Sequence, residues 1–166
     1  MSIPTNPVKL PNERTVTIAR VFDAPRDLVW RMWTEPEHMA QWWGPKTFAN
    51  PVCELDVRPG GRIWIVMRGP KGSAYDDDFP MSGTFHEVVK PSRLVFTAIA
   101  EDKQGHPLLR AHTTVTFDVH GDQTRLTVHA KAVGLAPVAP QMLAGMDAGW
   151  RQSLEKLAEL AKQIRS

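Results

Sequence analysis

Glu54, Asp56, His86 and Glu87 are the residues of this chain best placed to move a proton, since each lies in an alternating run that offers an inward and an outward face. Acid–base catalysis needs such a group inside an apolar pocket, where burial and neighbouring charge shift its pKa toward the working pH. Glu54 and Asp56 alternate with Cys53, Leu55 and Val57, so they belong on the solvent side. Between Ser82 and Val88 strict alternation turns either His86 or Glu87 inward. Placing Phe85 inward brings Glu87 with it, and Glu87 becomes the one polar group expected inside. The six histidines, His38, His86, His106, His112, His120 and His129, show no HxxxH, HxH or cysteine–histidine spacing that would put two ligands on one metal. No GxSxG, P-loop or GxGxxG occurs, so no metal and no cofactor is expected, and no catalytic residue set is visible. The single cysteine, Cys53, excludes an internal disulfide, and within Val52 to Val57 it reads as a buried structural thiol rather than a nucleophile.

The elements that would position these residues can be read from pattern. Val16, Ile18, Val21 and Phe22 make a first strand from Thr15 to Phe22. Asp23 is expected to cap a helix whose first turn holds Pro25, and Thr34-Glu35-Pro36-Glu37 has the capping-box spacing for a second, shorter one. Leu28, Val29, Met32 and Trp33 form the core-facing stripe of the first helix, and Gly44-Pro45 ends the segment. Cys53 to Val57 then turns through Pro59-Gly60-Gly61 into Ile63 to Met67. That last run is apolar on both faces, which leaves open whether Ile65 and Met67 or Trp64 and Val66 point inward. Strands follow at Met81 to Val89, Arg93 to Ile99, His112 to Val119 and Thr124 to Ala130, with exposed loops at Gly69 to Asp78 and Glu101 to Pro107. From Pro140 to Ile164, apolar residues at Leu143, Met146, Trp150, Leu154, Leu157 and Ala161 step by three and four. A helix of about 25 residues would run roughly 37 Å, enough to cross a domain. The expected class is therefore α+β: a curved seven-stranded antiparallel sheet wrapped around a long C-terminal helix, with two short helices between strands 1 and 2, which is a helix-grip.

Composition sets the limits. A chain of 166 residues suits one domain, expected here over residues 13–166, behind an extended arm over residues 1–12 that carries Pro4, Pro7 and Pro11. The net charge of +2, from 20 basic and 18 acidic residues without a basic run, argues against nucleic acid as a partner. No run approaches the ~18 apolar residues of a membrane span, and Met1 to Leu10 lacks the order of a signal peptide, so the expected location is cytoplasmic.

Phe22-Asp23-Ala24-Pro25, Trp42-Trp43-Gly44-Pro45 and Arg58-Pro59-Gly60-Gly61 carry a resemblance that runs from about Thr15 to Ile164. The chain resembles the family named for the activator of the ATPase of the 90-kilodalton heat-shock chaperone, within the START-like, polyketide-cyclase-like (SRPBCC) superfamily of helix-grip domains. The resemblance implies a mostly apolar cavity where a straight helix cannot follow a curved sheet. Its walls are expected at Trp33, Trp42, Ile65, Met67, Met81 and Phe85. Phe96, Phe117, Met142, Met146 and Trp150 complete them, with Glu87 nearby. Each of these residues taken alone is most simply core packing. Together, the methionines on inward elements suit a wall that adapts to shape, and Gly145 and Gly149 suit a helix face that something must approach closely.

Three functional classes follow. The leading one is a binding module for a small apolar or aromatic molecule. The resemblance also implies a cyclase- or dehydratase-like enzyme on a hydrophobic substrate, or a co-chaperone bound to the 90-kilodalton chaperone and tied to stress response. Against the co-chaperone class, no separate chaperone-binding domain is expected N-terminal to this one. The doubly apolar strand at Trp64 and Val66, or the proline-rich arm, is the expected contact of a homodimer.

Overall fold

The computed structural model describes residues 12–165. The arm expected over residues 1–12 lies outside the described residues apart from Asn12, whose Nδ2 donates to the Gly134 carbonyl at 3.1 Å.

β1 (Glu13–Phe22) and β2 (Ala49–Leu55) follow each other in sequence yet occupy opposite edges of the sheet, and α1 (Arg26–Thr34) with α2 (Pro36–Met39) carries the chain between them. β3 (Arg62–Arg68), β4 (Asp78–Val89), β5 (Arg93–Glu101), β6 (Pro107–His120) and β7 (Gln123–Gly134) then return as a meander. The spatial order is β1-β7-β6-β5-β4-β3-β2, with every neighbouring pair antiparallel. α3 (Ala139–Ala144) and α4 (Met146–Arg165) close the inner face. This is the α+β helix-grip that the patterning predicts.

Four details differ from the expectation or complete it. The C-terminal helix is interrupted at Gly145, which caps α3 with φ near −87° and ψ near −3°. Arg14 Nη1 donates to the Leu143 and Ala144 carbonyls at 2.9 and 2.8 Å, so the end of α3 is satisfied by a cation from β1. Pro25 directly precedes α1 and Glu35 precedes α2, neither with a side-chain cap bond of its own, and Thr34 Oγ1 donates back to the Trp30 carbonyl. Ile63 and Ile65 face inward, and Trp64 faces outward beneath the Arg62 guanidinium at 5.4 Å.

The fourth detail is a bulge. Phe85 pairs with Phe96 but Glu87 pairs with Val95, so His86 is an extra residue in β4 and alternation shifts by one. Phe85 stays buried, His86 and Glu87 both face outward, and Val88 takes the next inward place. Glu87 forms an exposed ion pair with Arg93 at 3.3 Å rather than approaching the interior.

Candidate functional site

The inner face of the sheet is ordered in cross-strand rows, and the rows differ in bulk. Val88, Leu94, Val115, Val128 and Ile18 form one row. All but the partly buried Val88 are almost fully buried. Two rows closer to the loop ends of β5 and β6, the partners are Gly83, Ala98, Ala111 and Ala132. Beside it runs Met81, Ala100 and Leu109. Alanine and glycine reach little more than a methyl group above the sheet, so a helix packed at normal distance over this half leaves a gap.

The gap is a cavity of about 240 Å³. Its floor is Met81, Phe96, Ala98, Ala100, Ala111 and Thr113, with Leu109 at one side. Its roof is Met142 of α3 and Met146, Gly149, Trp150 and Ser153 of α4. Trp43, Gly44 and Pro45, together with Met67, close the remaining wall. Among the described residues no lining side chain is charged, and Thr113 and Ser153 carry the only side-chain hydroxyls of the lining.

Six of the residues expected on the walls meet here: Met67, Met81, Phe96, Met142, Met146 and Trp150. Trp33, Trp42, Ile65, Phe85 and Phe117 do not line the cavity; they are buried in the adjoining core. Glu87 is outside for the reason given by the bulge. The core and the cavity are joined by a chain of rings. Trp30 meets Phe117 edge-on at 5.3 Å, Phe117 meets Trp33 at 6.2 Å, and Trp33 stacks on Trp150 at 6.2 Å. Trp150 in turn meets Trp43 edge-on at 5.5 Å. Ala98, Ala100 and Ala111 were missed in the sequence because a small inward residue gives no hydrophobic signal, and Trp43 because it lies in a turn, where no period assigns a face. The inward parity of Ala98 and Ala100 against Thr97 and Ile99 was the available clue.

The Trp43 to Phe48 turn is held to α4 by polar contacts. Lys156 Nζ sits among four carbonyl oxygens, at 3.1 Å from Pro45, 3.3 Å from Gly44 and 3.4 Å from both Trp43 and Phe48. Burial lowers its pKa, because desolvation penalises the charged ammonium. Ser153 Oγ lies 2.9 Å from the Gly44 carbonyl and 3.0 Å from that of Gly149, and the Lys46 N–H donates to Gln152 Oε1 at 3.0 Å. Gly44 has φ near +90°, and a Cβ there would stand 2.6 Å from Met67 Sδ, so both backbone and space call for glycine at this wall. On β2, burial first, then Glu37 and Glu54, push the Cys53 thiol up to about 11. Among the described residues no helix is long and apolar enough to cross a membrane.

Known proteins place this architecture. A crystal structure of a protein from Nitrosomonas europaea is 31% identical, with a TM-score of 0.70, over 91% of this chain and 96% of its own. A solution structure from Arthrobacter aurescens is 26% identical with a TM-score of 0.76, covering 90% of this chain and 86% of its own. A protein from Silicibacter pomeroyi named for the same family shares the fold at 24% identity, with a TM-score of 0.74 over 90% of this chain and 99% of its own. No curated protein matches the sequence. Residues 23–162 match the family described as Activator of Hsp90 ATPase homolog 1-like protein, and the chain belongs to that family, with the START-like helix-grip fold its sequence resembles.

Proposed function

We propose that this protein is a binding module that holds a small apolar or aromatic molecule in the cavity between β4–β6 and the α3–α4 junction. The observation that carries this reading is the combination of alanines on the floor with methionines and tryptophans on the walls, and no charged side chain among them. An apolar ligand there gains about 25 cal/mol per Å² of apolar surface removed from water, offset by the ordering cost of association. The cavity is larger than the roughly 150 Å³ that accommodates benzene and smaller than the 300–1,000 Å³ typical of drug-sized ligands, which points to a molecule of about ten non-hydrogen atoms. A cyclase- or dehydratase-like step finds no carboxylate, histidine or lysine in the lining to move its protons. The co-chaperone reading rests on the family's description alone.

The test is a titration of one- and two-ring apolar compounds, followed by tryptophan emission and melting temperature. Trp43 and Trp150 line the cavity, so emission is expected to change on binding. At a ligand concentration of about 100 Kd the stabilisation is about 2.7 kcal/mol, or roughly 5 to 10 °C for a chain of this size. Ala111→Leu fills the floor and should abolish both signals. If no compound shifts either signal in the parent protein, the binding reading fails.

A further inference from the structure

We infer that Thr113 sets the polarity of what the cavity accepts, and that the ligand is an uncharged molecule with an apolar body and one hydroxyl or carbonyl oxygen. This inference rests on the binding reading above. Thr113 lies on the inner face of β6, opposite Phe96 on β5 and Ala130 on β7, and is 1% exposed. Alternation gives such central inward positions to apolar residues, as with Val115 and Phe117 in the same strand. A threonine there has nearly the volume of valine but adds a hydroxyl, and a buried hydroxyl without a partner is costly.

Among the described residues the Thr113 hydroxyl makes no hydrogen bond, although the residue lines the cavity. The other hydroxyl of the lining behaves differently: Ser153 Oγ is already placed between the Gly44 and Gly149 carbonyls, and its proton is committed to them. Thr113 therefore keeps both a donor and an acceptor for whatever enters. An oxygen on the ligand would satisfy it, and a pure hydrocarbon would leave it unpaired. A carboxylate would have to be desolvated with no lysine, arginine or histidine in the lining to meet it.

The experiment is a double-mutant cycle between protein and ligand, read by calorimetry. Indane, 2-indanol and indane-2-carboxylate share a two-ring body of the right size, and Thr113→Val removes the hydroxyl at almost constant volume. Solvation differences between the ligands cancel when the ratio of their dissociation constants is compared across the two proteins. The expected result is that the preference for 2-indanol over indane falls about fivefold in Thr113→Val and is retained in Thr113→Ser, with no binding of the carboxylate. An unchanged ratio, with indane and 2-indanol both bound, overturns the role of Thr113 and leaves the binding reading standing. Carboxylate binding as tight as that of the alcohol overturns the uncharged-ligand class. If neither neutral compound binds the parent or Thr113→Ser, while a broader set of apolar compounds does, this inference falls alone; if nothing binds at all, it falls together with the reading it rests on.

Discussion

The two halves of the space beneath α4 are built on the same sheet and end differently. At one half, Phe117, Leu126 and Val128 stand on the strands and share one buried core with Trp30, Leu154 and Leu157, Trp30 meeting Phe117 edge-on. At the other, Ala98, Ala100 and Ala111 stand in the corresponding inward positions, and Met146 and Trp150 of the same helix cannot reach down to them. The backbone need not open to make a cavity; removing bulk from a few strand positions is enough. The break at Gly145 and the arginine that caps it belong to the open half as well, since a glycine hinge between α3 and α4 holds Met142 and Met146 over the floor.

The largest test of that contrast is to truncate one large residue in each half. Phe117→Ala, in the filled half, should cost about 3–5 kcal/mol, and Leu154→Ala, 1% exposed on α4, about 2–5 kcal/mol. Met146→Ala, which only extends space already present, should cost about 1 kcal/mol. Urea midpoints measure all three, and equal losses would mean that the halves are packed alike.

Much of the filled half was legible in advance. Phe117, Leu126 and Val128 alternate with polar neighbours, and the α1 stripe at Val29, Met32 and Trp33 has helical spacing, so their inward direction follows from period alone. The open half was legible only in its large residues. A methionine or tryptophan announces a wall, whereas an inward alanine is a missing signal. Three further points, one left open and two that departed from the expectation, have local causes. The run from Ile63 to Met67 is apolar on both faces and needed its neighbours to set its direction. The bulge at His86 reversed the parity that placed Glu87 inside, and bulges leave no period to detect. The spacing that predicted capping at Asp23 and Thr34 is also compatible with the extended Pro25 and Glu35 that start the helices.

A smaller effect is expected from the wall that both halves share. Gly44→Ala forces a side chain into a positive-φ position and against Met67, a flexible neighbour that can move aside, so the backbone term of about 1–2 kcal/mol should dominate. Because the displaced Met67 enters the cavity, ligand affinity should fall along with the melting temperature. A loss of stability with unchanged affinity would detach this turn from the site.

The smallest expected effect concerns the row in which open and filled parts meet. Cys53 of β2 pairs with Ile65 of β3, which pairs with Met81 of β4, so one fully buried isoleucine separates the thiol from a cavity wall. Burial and the charges of Glu37 and Glu54 raise the thiol from 9.0 to about 11. A raised folded-state pKa means that the folded chain keeps its proton where the unfolded chain has lost it. The associated stability is fully present below pH 9 and is lost as pH rises through about 11. Thiol alkylation under native conditions should then be slow at pH 8 and rise with a midpoint near 11. A midpoint near the ordinary 9.0 would show that the half-buried thiol is solvated from the β2 edge, so that this end of the row is not sealed against water.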